Sequence, residues 1–402
     1  MQVIGQAGVV RPGADPTATT GVGPDATPST YGGWRPRVTL GASSAGGLQL
    51  PAAQPTASWL YAPRGVWTDG TTVVAADTGN HRVLVWHTLP TADETPADVV
   101  LGQPDAHTEG PAAGGAGPAR GLHLPTGVLV HEGRLVVADA WHHRVLVWDA
   151  LPVRDTPPDQ VLGQAGPDAV EPNAGGEASA ATFYWPFGIA VVDGRFHVAD
   201  TGNRRVLVWR DGIPEPGRPA DVVLGQPTPT DREENRGGPV AADSFRWPHA
   251  LAGTGDGGLL VADAGNHRVL RWDTHPGRDL PADAALGQEG LTSDEEFPYV
   301  SQAGRLRFPY GVATRAGLLA VADTANNRVL VHDTTSAAGR VVPDAVLGQP
   351  TAGANGENRW DQVAPDTFCW PYGLCLAERP GGGDLLAVAD SGNNRVVVWE
   401  RP

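Results

Sequence analysis

Short runs of four or five apolar residues, bounded by Gly, Pro, Asp or Asn, follow one another along most of the chain. Gly188-Ile-Ala-Val-Val192, Phe196-His-Val-Ala199, Arg205-Val-Leu-Val-Trp209 and Asp221-Val-Val-Leu224 are four in succession. They are rich in β-branched residues, too short for helices and without a helical period. The pattern therefore predicts four strands, a to d, in an all-β fold. Asp200-Thr-Gly-Asn203, between b and c, carries residues that accept positive φ and predicts a tight hairpin turn there.

The same unit returns six times. Segments of the type Ala-Asp-Thr-Gly-Asn-His-Arg-Val-Leu-Val-Trp centre on Asp77, Asp139, Asp200, Asp263, Asp323 and Asp390. Leu-Gly-Gln recurs at Leu101, Leu162, Leu224, Leu286 and Leu347, and a Pro-x-Gly step opens each strand a. The glycines of that step, with Ala250 in place of one, are spaced by 62, 61, 62, 61 and 62 residues. A period this regular means one supersecondary unit used repeatedly. Six four-stranded antiparallel units arranged radially make a six-bladed β-propeller.

The sixth unit runs out of chain after Arg395-Val-Val-Val-Trp399, before any strand d, so an N-terminal strand must complete it. Arg37-Val-Thr-Leu-Gly41 is favoured, because Ala42 lies 21 residues before Pro63 and the other Gln-to-Pro gaps are 21 or 22. Val3-Ile-Gly-Gln6 resembles the motif but is too distant, and is left as a strand that could add to a blade edge. The expected division is an N-terminal arm over 1–36 and a propeller over 37–402.

Composition narrows the function. The formal charge is −16, and the 29 basic residues are all arginine. An acidic surface argues against nucleic acid, and the absence of lysine removes Schiff-base chemistry and the P-loop lysine. Arginine-only usage in an Ala- and Gly-rich chain fits a bacterium of high GC content. Cys369 and Cys375 lie about 20 Å apart if one strand holds both, too far for a disulfide, and free thiols suit a reducing compartment. No signal peptide or membrane span is legible, so a cytoplasmic monomer is expected.

Asp77-Thr-Gly-Asn-His-Arg82-Val-Leu-Val-Trp86 resembles the NHL repeat, named for its Asn-His-Leu signature, with arginine at the third position here. The resemblance covers about nine-tenths of the chain. It implies a propeller, but not an activity, because such propellers include protein- and RNA-binding modules, a peptidyl lyase and sugar-lactonase relatives. The lyases would need three mouth histidines for a zinc, and only His249 matches. The lactonases would need axial Glu, Asn and Asp, and none matches. Neither a metal nor another cofactor is expected.

Residues shared by all six units solve a problem of the unit, which assigns structural roles to the repeated Asp and Arg. The strand-c tryptophans Trp86, Trp148, Trp209, Trp272 and Trp399 read as packing between blades. Function is expected where one blade differs from its siblings. The b–c hairpins and the six long d–a loops share one face, and the loops vary in sequence. The residue between Pro and Gly should ring the channel mouth there, giving Arg64, Thr126, Phe187, His249, Tyr310 and Tyr372. Trp141 stands where the hairpin glycine usually belongs and reads as a partner contact. The expected function is a non-catalytic scaffold holding a protein or peptide on this face. An enzyme or small-ligand binder at the mouth, using Arg64, His249, Tyr310 and Tyr372, is the alternative.

Overall fold

The computed structural model describes residues 31–42, 54–296, 300 and 302–402. Six four-stranded antiparallel sheets form the blades of a propeller. Blade three is representative, with strands Pro186–Val192, Arg195–Asp200, Arg205–Trp209 and Val222–Leu224 paired in order. Strand a of every blade packs against strand a of both neighbours, which places these six strands around the axis.

Strands b and c read as continuous apolar runs because both of their faces are buried. In blade one, Val73, Ala75 and Leu84 pack towards blade six, while Val74, Ala76, Val83 and Val85 pack towards blade two. The period of two thus sends alternate residues into successive inter-blade cores. The strand-c tryptophans lie in these cores, and Trp86, Trp148, Trp209 and Trp272 donate their indole N–H to carbonyls at 2.9–3.0 Å.

Blade six is closed by Arg35–Gly41, which pairs antiparallel with Arg395–Arg401 and buries Val38 and Leu40. Arg35 and Arg37 both reach Glu400, at 2.8 and 2.9 Å. Ala42, in the position of the repeated glutamine, donates its N–H to the Asn394 carbonyl at 3.1 Å. Val3–Gln6 and most of the proposed arm lie outside the described residues.

The b–c link differs from the expected turn. Each is a three-residue 3-10 turn, and the left-handed residue falls just after it, at His81, His143, Arg204, His267, Asn327 and Asn394. The turn glycine instead answers close approach. A Cβ on Gly202 would lie 2.4 Å from the Tyr184 carbonyl oxygen. At the axis the Pro-x-Gly glycine has the same reason, since a Cβ on Gly188 would come within 2.0 Å of the His249 oxygen.

The long d–a loops are less free than their sequences imply. The buried Gln226 amide donates to Asn203, Arg204 and Glu233 carbonyls, tying strand d to the hairpin and to the loop. Asn173 pairs with Asn203, and Asn358 with Asn393, so loop and turn are joined within a blade. A further tie crosses between blades: the Thr78 hydroxyl donates to the Pro125 carbonyl at 2.7 Å, and Thr201 and Thr324 act likewise. Alanine stands at this position in blades two and four. Thr78→Val is therefore expected to cost only about 1 kcal/mol, measured by urea unfolding. A loss above about 3 kcal/mol would contradict this secondary role.

Candidate binding site at the channel mouth

The hairpin aspartates and arginines are buried staples. Asp200 is fully buried and accepts the Tyr184 N–H at 2.7 Å, the Asn203 amide at 2.8 Å and Arg205 Nε at 2.7 Å. Arg205 is fully buried too and donates to the carbonyls of Ser179, Thr182 and Pro229 in the two adjoining d–a loops. The five other blades repeat the Asp–Arg contact at 2.7–2.9 Å. These carboxylates face no solvent and hold the loops that carry the upper face.

A second device links blades across the mouth. The side chain of the left-handed turn residue accepts the N–H of the residue before proline in the next blade. His81, His143 and His267 do so through Nδ1 to Leu124, Trp185 and Phe308 at 3.1–3.2 Å. Asn327 and Asn394 do so through Oδ1 to Trp370 and Ala62, both at 2.9 Å. Those five N–H donors belong to residues held at φ between +47° and +54°, a conformation disfavoured before proline. Blade three has Arg204, which offers no acceptor, and Trp247 opposite it is not in that conformation. The latch and the strain go together.

Within this frame Arg64, Thr126, Phe187, His249, Tyr310 and Tyr372 all line one axial cavity of about 100 Å³. Phe187 meets His249 at 4.4 Å between ring centroids, His249 meets Tyr310 at 4.3 Å, and Tyr310 stacks on Tyr372 at 4.6 Å. The Arg64 guanidinium lies 5.0 Å from the Tyr372 ring and 5.9 Å from the Phe187 ring. Those rings belong to blades six and three, on opposite sides of the axis, so the cation spans the opening. Thr126 turns its hydroxyl to the Phe187 carbonyl at 2.9 Å.

Burial and the nearby Arg64 charge push the His249 pKa down to about 4, and its Nδ1 donates to the Trp247 carbonyl at 2.9 Å. Burial raises Tyr310 well above the ordinary phenol range and raises Tyr372 as well. The mouth at neutral pH is thus one permanent cation among neutral rings.

Sequence comparison carries the same pattern outside this chain. An NHL repeat-containing protein 2 of Bos taurus is 25% identical over 354 residues, covering 67% of this chain and 45% of that protein. The chain is a six-bladed β-propeller similar to NHL-repeat proteins. It spans slightly less than half the length of that curated relative. No family model matches the chain. Among solved structures, a streptogramin B lyase aligns with a TM-score of 0.45 and 12% identity, over 87% of this chain and 95% of that one. A virginiamycin B lyase from Staphylococcus aureus aligns at 0.40 and 11%, over 86% and 97%. A luciferin-regenerating enzyme aligns at 0.42 and 13%, over 87% and 92%. Likenesses this distant say nothing of activity.

Sequence reasoning missed a second ring on this propeller. The residues before the six prolines are Ala62, Leu124, Trp185, Trp247, Phe308 and Trp370, aromatic in four consecutive blades. Phe308 touches Tyr310 at 6.4 Å, and Trp247 stacks on Phe308 at 6.1 Å. The mouth is therefore lopsided, with aromatic residues at both positions in blades three to six and Arg64 and Thr126 in blades one and two. The signal was present in the strings Trp-Pro-Phe, Trp-Pro-His, Phe-Pro-Tyr and Trp-Pro-Tyr, two residues before the position assigned to the ring.

Trp141 is half-buried rather than fully exposed, and stacks on Trp185 at 4.9 Å. A second tryptophan escaped notice. Trp360 sits at φ +59° with 78% of its surface exposed, where the loops of blades three and four carry Gly175 and Gly237. Cys369 and Cys375 are free thiols whose pKa values burial pushes up to about 12 and about 11, which keeps them protonated and unreactive at neutral pH. Among the described residues no group of His, Cys, Asp or Glu is arranged to hold a metal ion, and no helix is long and apolar enough to cross a membrane.

Proposed function

We propose that this propeller is a binding scaffold that holds a protein or peptide partner on the face of the d–a loops and b–c hairpins. The observation that carries the reading is Trp360. A tryptophan kept at positive φ, exposed, where sibling loops use glycine, costs conformational energy and hydration that the isolated fold does not recover. Trp141, half-buried against Trp185, is a second tryptophan in place of a glycine, here in the b–c hairpin of blade two. Tryptophan is strongly enriched among anchors of binding energy. The rigid blades hold both at fixed positions around the aromatic collar, which lowers the ordering cost of association.

The test is affinity capture from a lysate of the native host. Wild type and Val153→Ser, a control in a c–d link on the opposite face, are expected to retain one specific protein. Trp141→Ser/Trp360→Ser, confirmed folded by circular dichroism, should retain at least tenfold less. Equal recovery by the double variant, or no protein above a tag-only background, would overturn the scaffold reading.

A further inference from the structure

We infer that the channel mouth is a carboxylate site, taking the free acid end of an aromatic-bearing ligand whose body lies on the collar outside. The inference rests on the reading that this face binds a partner, and names the chemistry of the group that enters the axis.

Arg64 is the reason. Other arginines of this chain take carboxylates, as Arg315 does with Asp384 and Glu378. No hydrogen bond or ion pair reaches the Arg64 guanidinium among the described residues, and its Nε is buried without an acceptor. A fork of N–H donors held over two rings and lining a cavity lacks only its acceptor. The rings support the planar cation while leaving its edge free, which a flexible ammonium could not reproduce.

Charge selects the acceptor. The cavity of about 100 Å³ beside the guanidinium accommodates a carboxylate tip. A single guanidinium among neutral rings matches a monoanion, with no second cation to balance a dianion. Tyr310 and Tyr372 keep their hydroxyl protons, so the two phenols can donate to the same group. The remainder of the ligand must stay outside the mouth, where Trp185, Trp247, Phe308 and Trp370 present aromatic surface. Two sources fit this chemistry: the C-terminus of a peptide ending in an aromatic residue, or a small free aromatic acid.

Isothermal titration calorimetry of the full chain with N-acetyl-Gly-Gly-Phe, its C-terminal amide and 3-phenylpropionate separates them. The tripeptide acid is expected to bind with Kd of about 1 mM or tighter, and its amide at least tenfold more weakly. Arg64→Gln should weaken the acid at least tenfold while circular dichroism shows the propeller still folded, although the variant loses both ring contacts. Binding of 3-phenylpropionate alone, with the same Arg64 dependence, supports the carboxylate site with the small acid as its source. Equal affinity for acid and amide, no binding of either acid up to about 10 mM, or undiminished acid binding by folded Arg64→Gln would overturn it. Continued capture of a partner through Trp141 and Trp360 would then leave the scaffold reading standing while this inference falls.

Discussion

Asp200→Ala is expected to destabilise the propeller by about 3–5 kcal/mol, the largest loss from any single substitution considered. Asp200 and Arg205 are both fully buried, so the alanine variant leaves a guanidinium charge in the protein interior with no counter-charge. It also strands the Tyr184 N–H and the Asn203 amide, which now share the carboxylate. The neutral pair Asp200→Leu/Arg205→Met should cost less than the two single changes summed, since breaking a buried ion pair is worse than replacing it. Equilibrium urea unfolding of the four proteins measures this coupling. A cost below about 1 kcal/mol for Asp200→Ala would contradict the structural assignment of all six aspartates.

Acid is expected to weaken the fold between pH 6.5 and 4, through the latches that join blades at the mouth. His81, His143 and His267 accept a backbone N–H at Nδ1, so each must be neutral and carry its proton on Nε2. Burial is the main cause pushing the pKa of His81 and His143 down to about 4, and it lowers His267 as well. The folded pKa values lie below the unfolded value of about 6.5, so as pH falls from there the unfolded chain takes up protons that the folded chain refuses. Stability is therefore complete above about 6.5 and is lost progressively towards pH 4. For the buried His143 the limit is about 3 kcal/mol.

Blades five and six provide the control, because Asn327 and Asn394 make the same latch with an amide that does not titrate. His81→Asn/His143→Asn/His267→Asn should keep its stability within about 1 kcal/mol at pH 7.5 and lose less of it on acidification. Urea midpoints at pH 7.5, 5.5 and 4.5 decide. A triple variant as acid-sensitive as the wild type would place the effect elsewhere, for instance on His249 or His197, whose pKa values burial also lowers.

The sequence by itself determined the count of blades and the order of strands within them, and favoured one of two N-terminal segments as the strand that closes the ring. Each of these is written in the spacing of short apolar runs and in a repeat of near-constant period. It also separated Asp200 and Arg205, common to every copy, from Arg64 and Trp141, which are not. It marked Arg64, Thr126, Phe187, His249, Tyr310 and Tyr372 for one ring because strand a faces the axis. Only the tertiary structure decided that the Arg64 guanidinium spans that axis, that His81 holds Leu124 of the next blade in a strained conformation, and that Trp185 shields Trp141. Those contacts join groups more than 40 residues apart in sequence. Local pattern reports which face a residue takes within its own blade. The distance between two blades, and which groups meet there, is set only when all six close into a ring.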